Sequence, residues 1–259
     1  MSSRTITSLN NPSVKAARAL HLRKERDETG LFLAEGLKIV TEAVDLGHAP
    51  RLLLYAAEAG DHPLLRRAAA LAQDTVEVTP AILAKISRRD NPQTVLGVFE
   101  QKYTPLADLE PTSARCWIAL QAVRDPGNLG TIVRTADAAG CGGVILVGDC
   151  CDPYSVEAVR ATMGSIFAVP LARARVETFI GWRASWPGSV VGALLTATTD
   201  FRAADYRDPT LILMGNEQAG LPPELSDICD TVVKIPMRGR ADSLNLAVAT
   251  GVMIYAATG

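Results

Sequence analysis

What this chain lacks narrows its class before any motif is read. Its 259 residues hold only five cysteines (Cys116, Cys141, Cys150, Cys151 and Cys229), irregularly spaced. That is too few for a disulfide framework, and the expectation is reduced thiols in a cytoplasmic protein. No CxxC pair occurs and none of the three histidines lies near a cysteine, which disfavours zinc and leaves no metal expected. No run of about 18 apolar residues is free of charge, so no membrane span is expected. The opening MSSRTITSLNNPSVK has no apolar signal core. Neither GxGxxG nor GxxxxGKS/T is present, which removes the main support for a dinucleotide-dependent dehydrogenase or a P-loop enzyme. Neither repeats nor low-complexity tracts occur.

What is present is an ordinary globular composition, 48% hydrophobic and 21% charged, long enough for one or two domains. The formal net charge of −2 hides an asymmetry. Residues 1–26 carry Arg4, Lys15, Arg18, Arg23, Lys24 and Arg26 against Glu25 alone. A basic leading segment can meet a polyanion such as RNA, through Lys15, Arg18, Arg23 and Lys24, or can be a solvated helix face.

Apolar periodicity divides the chain. Residues 12–25 read as one helix, followed by a turn at 27–30. Strand-like runs at 31–34, 51–55, 75–78 and 95–100 then alternate with helical spacing at 35–46, 63–72 and 80–86. This predicts a small α/β domain over 1–105 and a proline-containing linker over 106–114. Residues 115–259 predict a second α/β domain. The continuous apolar run at 116–123 has the length of a strand buried on both faces, 143–147 reads as the next buried strand, and 190–195, 211–214 and 231–235 as further strands. Helical patterns at 131–139, 155–163 and 243–257 would cover a mostly parallel sheet.

Three loops follow buried strands. The first, DPGNLGTIVRTA from Asp125, is expected to turn tightly before a helix that carries Arg134. The second, LILMGNEQAGLP from Leu211, runs from a strand into Gly215, Asn216 and Glu217. The third, KIPMRGRADSLNLAVATG from Lys234, precedes a small-residue apolar helix. Polar groups at the carboxyl ends of buried strands are where open α/β sheets bind ligands. Helix capping by Asn216, Glu217, Asp242 or Ser243, or a surface ion pair of Arg134, would account for single residues.

Taken together, PGNLGTIVRTADAAG, LILMGNEQAGLP and IPMRGRADSLNLAVATGVMIY resemble, in order and spacing, the three motifs of the SpoU (TrmH-type) RNA 2′-O-ribose methyltransferases of the SPOUT superfamily. NPSVK and FLAEGLKIVTEAV resemble the ribosomal-protein-like RNA-binding domain that often precedes that catalytic domain. The resemblance implies an α/β catalytic domain with a deep trefoil knot and S-adenosylmethionine held in the knotted loops. By motif position Gly215, Ile235 and Leu244 contact it, with Leu213, Met214 and Met237 nearby. It implies Arg134 as the central catalytic group, Asn128 positioning it or the ribose phosphate, and Glu217 holding Arg134 or the hydroxyl. Ser243 and Asn245 become phosphate or ribose contacts, and the family is typically homodimeric. Ribosomal RNA is the first expectation for the substrate and tRNA the alternative; a non-catalytic RNA-binding module is the rival reading.

Overall fold

The computed structural model describes residues 4–259, which form two compact units. The first contains residues up to Gln101 together with Asp152–Phe167. Its strands are β1 (Arg4–Ile6), β2 (Leu31–Glu35), β3 (Leu52–Tyr55), β4 (Asp74–Val78) and β5 (Val95–Glu100). They form a sheet in the order β1-β4-β3-β5-β2, with β1, β4 and β3 parallel and β5 antiparallel to both β3 and β2. Its helices are α1 (Pro12–Ala19), α2 (Arg23–Thr29), α3 (Leu37–Asp45), α4 (Pro63–Leu71) and α5 (Pro80–Ser87).

The single helix expected over 12–25 is broken. Leu22 is extended at φ −88°, and a new helix starts at Arg23. The cause is Arg26, which the helical pattern places among solvated charges but which is only 3% exposed. Its Nη1 donates to the Leu20 carbonyl at 2.7 Å, and its Nε donates to Asp152 Oδ2 at 2.7 Å. One guanidinium thus satisfies a backbone oxygen at the helix break and a buried carboxylate.

Asp152 heads the segment that joins this unit from later in the chain. Tyr154 and Phe167 pack on Phe32 with ring centroids 4.7 and 5.6 Å away, and Phe167 meets Phe99 at 4.8 Å. Asp152→Ala would leave the Arg26 charge buried without a counter-charge, a defect of about 3–5 kcal/mol. Urea unfolding of Asp152→Ala and of Asp152→Ala/Arg26→Met should show that loss in the single variant and partial recovery in the double. Equal stability of the wild type and the single variant would show that the pair carries no such weight.

The second unit comprises Lys102–Cys151 and Ala168–Gly259. Its strands are β6 (Cys116–Gln121), β7 (Val144–Val147), β8 (Leu171–Ala174), β9 (Val190–Ala193), β10 (Thr199–Asp200), β11 (Thr210–Met214) and β12 (Thr231–Lys234). They make a seven-stranded sheet in the order β10-β12-β9-β11-β6-β7-β8, in which every pairing is parallel. The helices are α6 (Pro126–Ala138), α8 (Val176–Arg183), α9 (Pro223–Ser226) and α10 (Leu246–Thr258), while α7 (Val156–Thr162) belongs to the first unit. The stretch expected as a linker makes two 3-10 turns, Leu106–Asp108 and Pro111–Ser113, and Leu106 and Leu109 sit in the core with Trp117 and Phe179. The chain runs outward from β6 through β7 to β8, then resumes on the other side at β9, with β11 inserted beside β6. Reversals of this kind leave a crevice at the strands' carboxyl ends.

Candidate active site at the β6–β11 crevice

β6 and β11 lie side by side, with Leu120 opposite Met214, so their carboxyl ends deliver two loops to one place. After β6 the backbone turns at Ala122, which holds φ +48° in the left-handed region. The expected turn at 125–130 is instead the start of α6, five residues earlier than the pattern at 131–139 predicts. Asp125 caps that helix by accepting from Asn128 N at 2.6 Å, and Pro126 takes the first position, where its missing N–H costs nothing.

After β11, Gly215 leads into a tight loop closed by paired backbone bonds between Asn216 and Gly220. A methyl group on Gly215 would stand 2.1 Å from Gly220 C and 2.2 Å from Leu221 N. Asn216 does not cap a helix. Its Nδ2 donates to the Ala122 carbonyl at 2.7 Å, and its Oδ1 accepts from the amides of Gln218 and Ala219. Glu217 does not cap one either. Its carboxylate accepts from Arg124 N at 3.2 Å, Asp125 N at 3.3 Å and Asn128 Nδ2 at 3.3 Å.

Asn128 completes the chain by accepting from Asn245 Nδ2 at 2.8 Å. Asn245, rather than Asp242 or Ser243, caps α10, receiving Ala247 N and Val248 N on its Oδ1. One run of side chains, Glu217–Asn128–Asn245, therefore ties the three motif loops together.

The other expected site residues are placed differently. Arg134 is exposed on α6 and, among the described residues, makes no ion pair or hydrogen bond; neither Glu217 nor Asn128 holds it. Ser243 is exposed and donates only to Asp242, at 3.3 Å. Leu213 and Met214 are buried with their side chains in the sheet core, while Ile235 and Met237 are half-buried and Leu244 is exposed. Of the four basic residues expected to meet RNA, Arg23 and Lys24 face Asp27 and Glu28 at 3.6 and 3.7 Å. Lys15 and Arg18 have no such partner among the described residues.

A cleft of about 590 Å³ opens between the first two loops, lined by Gln121, Ala122, Arg124, Asp125 and the 216–220 turn. Gln121 is not among the residues the motifs single out. Gln121 Oε1 is buried without a hydrogen-bond partner and is a ready acceptor for an N–H donor. Only the position of Gln121 as the last residue of β6 signals it. Beside the cleft, burial raises the Cys150 pKa, and its Sγ lies 3.4 Å from the carbonyls of Leu120 and Val147. Among the described residues no cysteine forms a disulfide. Among the described residues no group of His, Cys, Asp and Glu is arranged for a metal, and no helix is long and apolar enough to cross a membrane.

The SpoU rRNA methylase family matches residues 115–255, which contain every element of this crevice. The chain belongs to that family. As a SpoU family member it also carries, over residues 11–97, a match to the MRM3-like substrate-binding domain. It is 30% identical to the 23S rRNA (guanosine(2553)-2′-O)-methyltransferase of Bacillus subtilis, over 96% of this chain and 97% of that one. It is 33% identical to the 23S rRNA (uridine(2479)-2′-O)-methyltransferase of Streptomyces viridochromogenes, over 98% and 91%. Among solved structures, the AdoMet-bound rRNA methyltransferase of Sinorhizobium meliloti superposes with a TM-score of 0.92. The two are 50% identical over 98% of this chain and 97% of that one.

Proposed function

We propose that this protein transfers a methyl group from S-adenosylmethionine to a ribose 2′-hydroxyl of ribosomal RNA. The observation that carries this is the Glu217–Asn128–Asn245 chain, which locks the three motif loops around the crevice of a SpoU family fold. The residues present fit S-adenosylmethionine. Among the described residues Gln121 Oε1 lacks a donor, and Ile235 and Met237 offer half-buried apolar surface. Bound there, the cofactor supplies a methyl group already activated on a sulfonium.

The chain's own residues have to orient the nucleophile. Glu217 has its oxygens engaged by two backbone amides and the side-chain amides of Asn128 and Asn216, so its part is to hold the loops in register. Arg134 is free to meet the RNA. Its guanidinium serves as a planar donor to phosphate and hydroxyl. Ser243, exposed before α10, is a further contact for the ribose or phosphate.

The same proposal includes residues 1–105 as the substrate-binding part, the knot from about residue 211 to 255, a homodimer, and the cytoplasm as the site of action. The substrate-binding match over 11–97 supports the first. The packing of α10 on α6, β6 and β11 supports the second. Val248 and Tyr255, 54% and 59% exposed on α10, are consistent with a packed partner copy.

S-adenosylmethionine should bind in calorimetry with chelator present, and the product with 23S rRNA should be S-adenosylhomocysteine. Binding that requires a divalent ion, or tight NAD binding in its place, would overturn the reading.

A further inference from the structure

Two helices of the first unit, α1 and α5, pack face to face. Val14, Ala17 and Leu20 share a core with Ile82, Leu83 and Ile86. The residues exposed outside that core include basic ones on both helices. Lys15 and Arg18 are exposed three residues apart on one face of α1. Lys85 is exposed in the last turn of α5, and Arg88 is exposed on the left-handed residue that ends it.

The two rows meet at the end of α5. His21, three residues beyond Arg18, donates from Nε2 to the Ile86 carbonyl at 2.6 Å. Burial holds its imidazole below the ordinary pKa, and the nearby charges of Arg88, Arg160 and Arg26 push the same way.

A helix carboxyl end attracts cations by itself, and this accounts for part of the cluster. Arg160 donates to the Ser87 carbonyl at 3.0 Å, and Arg160 and Arg89 lie 2.7 and 3.8 Å from the buried Glu35 carboxylate. Arg18 and Lys85 stand in the last turns of α1 and α5 and Arg88 caps α5, so the same attraction favours them, yet none of Lys15, Arg18, Lys85 and Arg88 has an ion pair among the described residues. Arg88 moreover holds φ +56°, where glycine sits without strain and an arginine does not.

We propose that this α1–α5 face, through Lys15, Arg18, Lys85 and Arg88, takes the phosphodiester backbone of the RNA substrate. It rests on the rRNA-methyltransferase reading above. A row of uncompensated charges suits a repeating anion better than a single one. Neither helix carries an aromatic side chain for stacking on bases, so the contact reads backbone and shape, not sequence. Arg23 and Lys24, already facing Asp27 and Glu28, lie outside it.

The test compares Lys85→Ala/Arg88→Gly with Arg23→Ala/Lys24→Ala, using in vitro transcribed 23S rRNA as the probe over a range of salt. The first variant should bind roughly tenfold more weakly at low salt. Its log–log salt slope should fall by roughly 0.7–0.9 per contact removed. Its KM for RNA should rise with kcat and S-adenosylmethionine affinity unchanged. Arg88→Gly alone should match or exceed wild-type thermal stability while losing affinity, which separates a lost contact from a damaged fold. The Arg23/Lys24 variant should bind as wild type. Wild-type methyl transfer with an unchanged slope in Lys85→Ala/Arg88→Gly overturns the proposal alone. So does a wild type in which these two side chains govern binding to phosphatidylserine vesicles and not to RNA. A wild type that neither binds RNA nor transfers methyl overturns the functional reading with it.

Discussion

Gly215→Ala is expected to abolish S-adenosylmethionine binding, lowering affinity at least a hundredfold. The reason is the company Gly215 keeps. The atoms nearest an added Cβ are Gly220 C, Leu221 N and Gly220 O at 2.1, 2.2 and 2.3 Å, all of them backbone. A flexible side chain could swing away; the two hydrogen-bonded legs of one tight turn cannot. The loop they belong to is closed at both ends, since Asn216 N donates to Gly220 O at 3.1 Å and Gly220 N to Asn216 O at 2.9 Å. To admit the methyl group this turn must open. Asn216 would then leave the Ala122 carbonyl, and Glu217 would leave Arg124, Asp125 and Asn128. The damage reaches all three motif loops from one carbon atom. Overpacking of this kind also costs about 1–3 kcal/mol of stability. Gly220→Ala is the control. Gly220 holds φ +70° but nothing lies within 4 Å of an added Cβ, so strain of roughly 1–2 kcal/mol is the whole effect and binding should persist. Calorimetry with both variants, alongside urea unfolding, makes the comparison. Near-wild-type affinity in Gly215→Ala would show that the 215–221 turn does not shape the cofactor site.

Much of the catalytic unit was legible because its signals are local. β6, β7, β9 and β11 are almost wholly apolar and buried along nearly their whole length, as strands covered on both faces must be, whereas β12, with Thr231 and Lys234, is only partly buried. Glu217 stands out by its place after β11, whereas Asn128 and Asn245 are signalled by the resemblance of their loops to the SpoU motifs. What sequence could not supply is which partner each polar group takes. The resemblance offers Glu217 either Arg134 or the substrate hydroxyl, yet three donors from the Arg124–Asn128 turn claim its carboxylate. The turn at 125–130 was misjudged because its two glycines and proline speak against a helix, whereas Asp125 capping and Pro126 at the first position favour one. Arg26 was hidden for a related reason. Its charge reads as solvent-facing until a carboxylate 126 residues away is brought to it. The same long-range contact explains why 152–167 packs in the first unit. A cut at residue 105 would therefore bare Tyr154 and Phe167, so it does not cleanly remove a domain.

Arg134→Ala should cut methyl transfer by roughly 10²–10³-fold, the worth of one oriented electrostatic group, with more lost if the nucleophile is also misplaced. Cofactor affinity should stay near wild type, and so should the melting temperature. The structure supplies the reason for both halves of that expectation. Arg134 is exposed and bonds to nothing among the described residues, so its removal breaks no contact that holds the fold. It lies six residues beyond Asn128 on α6, about 9 Å along the helix axis at roughly 1.5 Å per residue. It therefore stands apart from the Glu217–Asn128–Asn245 chain that shapes the crevice. A long cation left free beside a locked crevice has one physical use there, to meet a negative or polar group that arrives with the substrate. A ribose next to a phosphate offers both. Arg134→Lys should not restore the rate, because a point charge cannot hold a phosphate oxygen and a hydroxyl in one plane. Single-turnover transfer to 23S rRNA, measured beside a cofactor titration and a thermal melt, separates these effects. If Arg134→Ala retains more than about a tenth of the wild-type rate, less than the loss expected for a single oriented donor, the central catalytic group lies elsewhere, and Ser243 is the next side chain to remove.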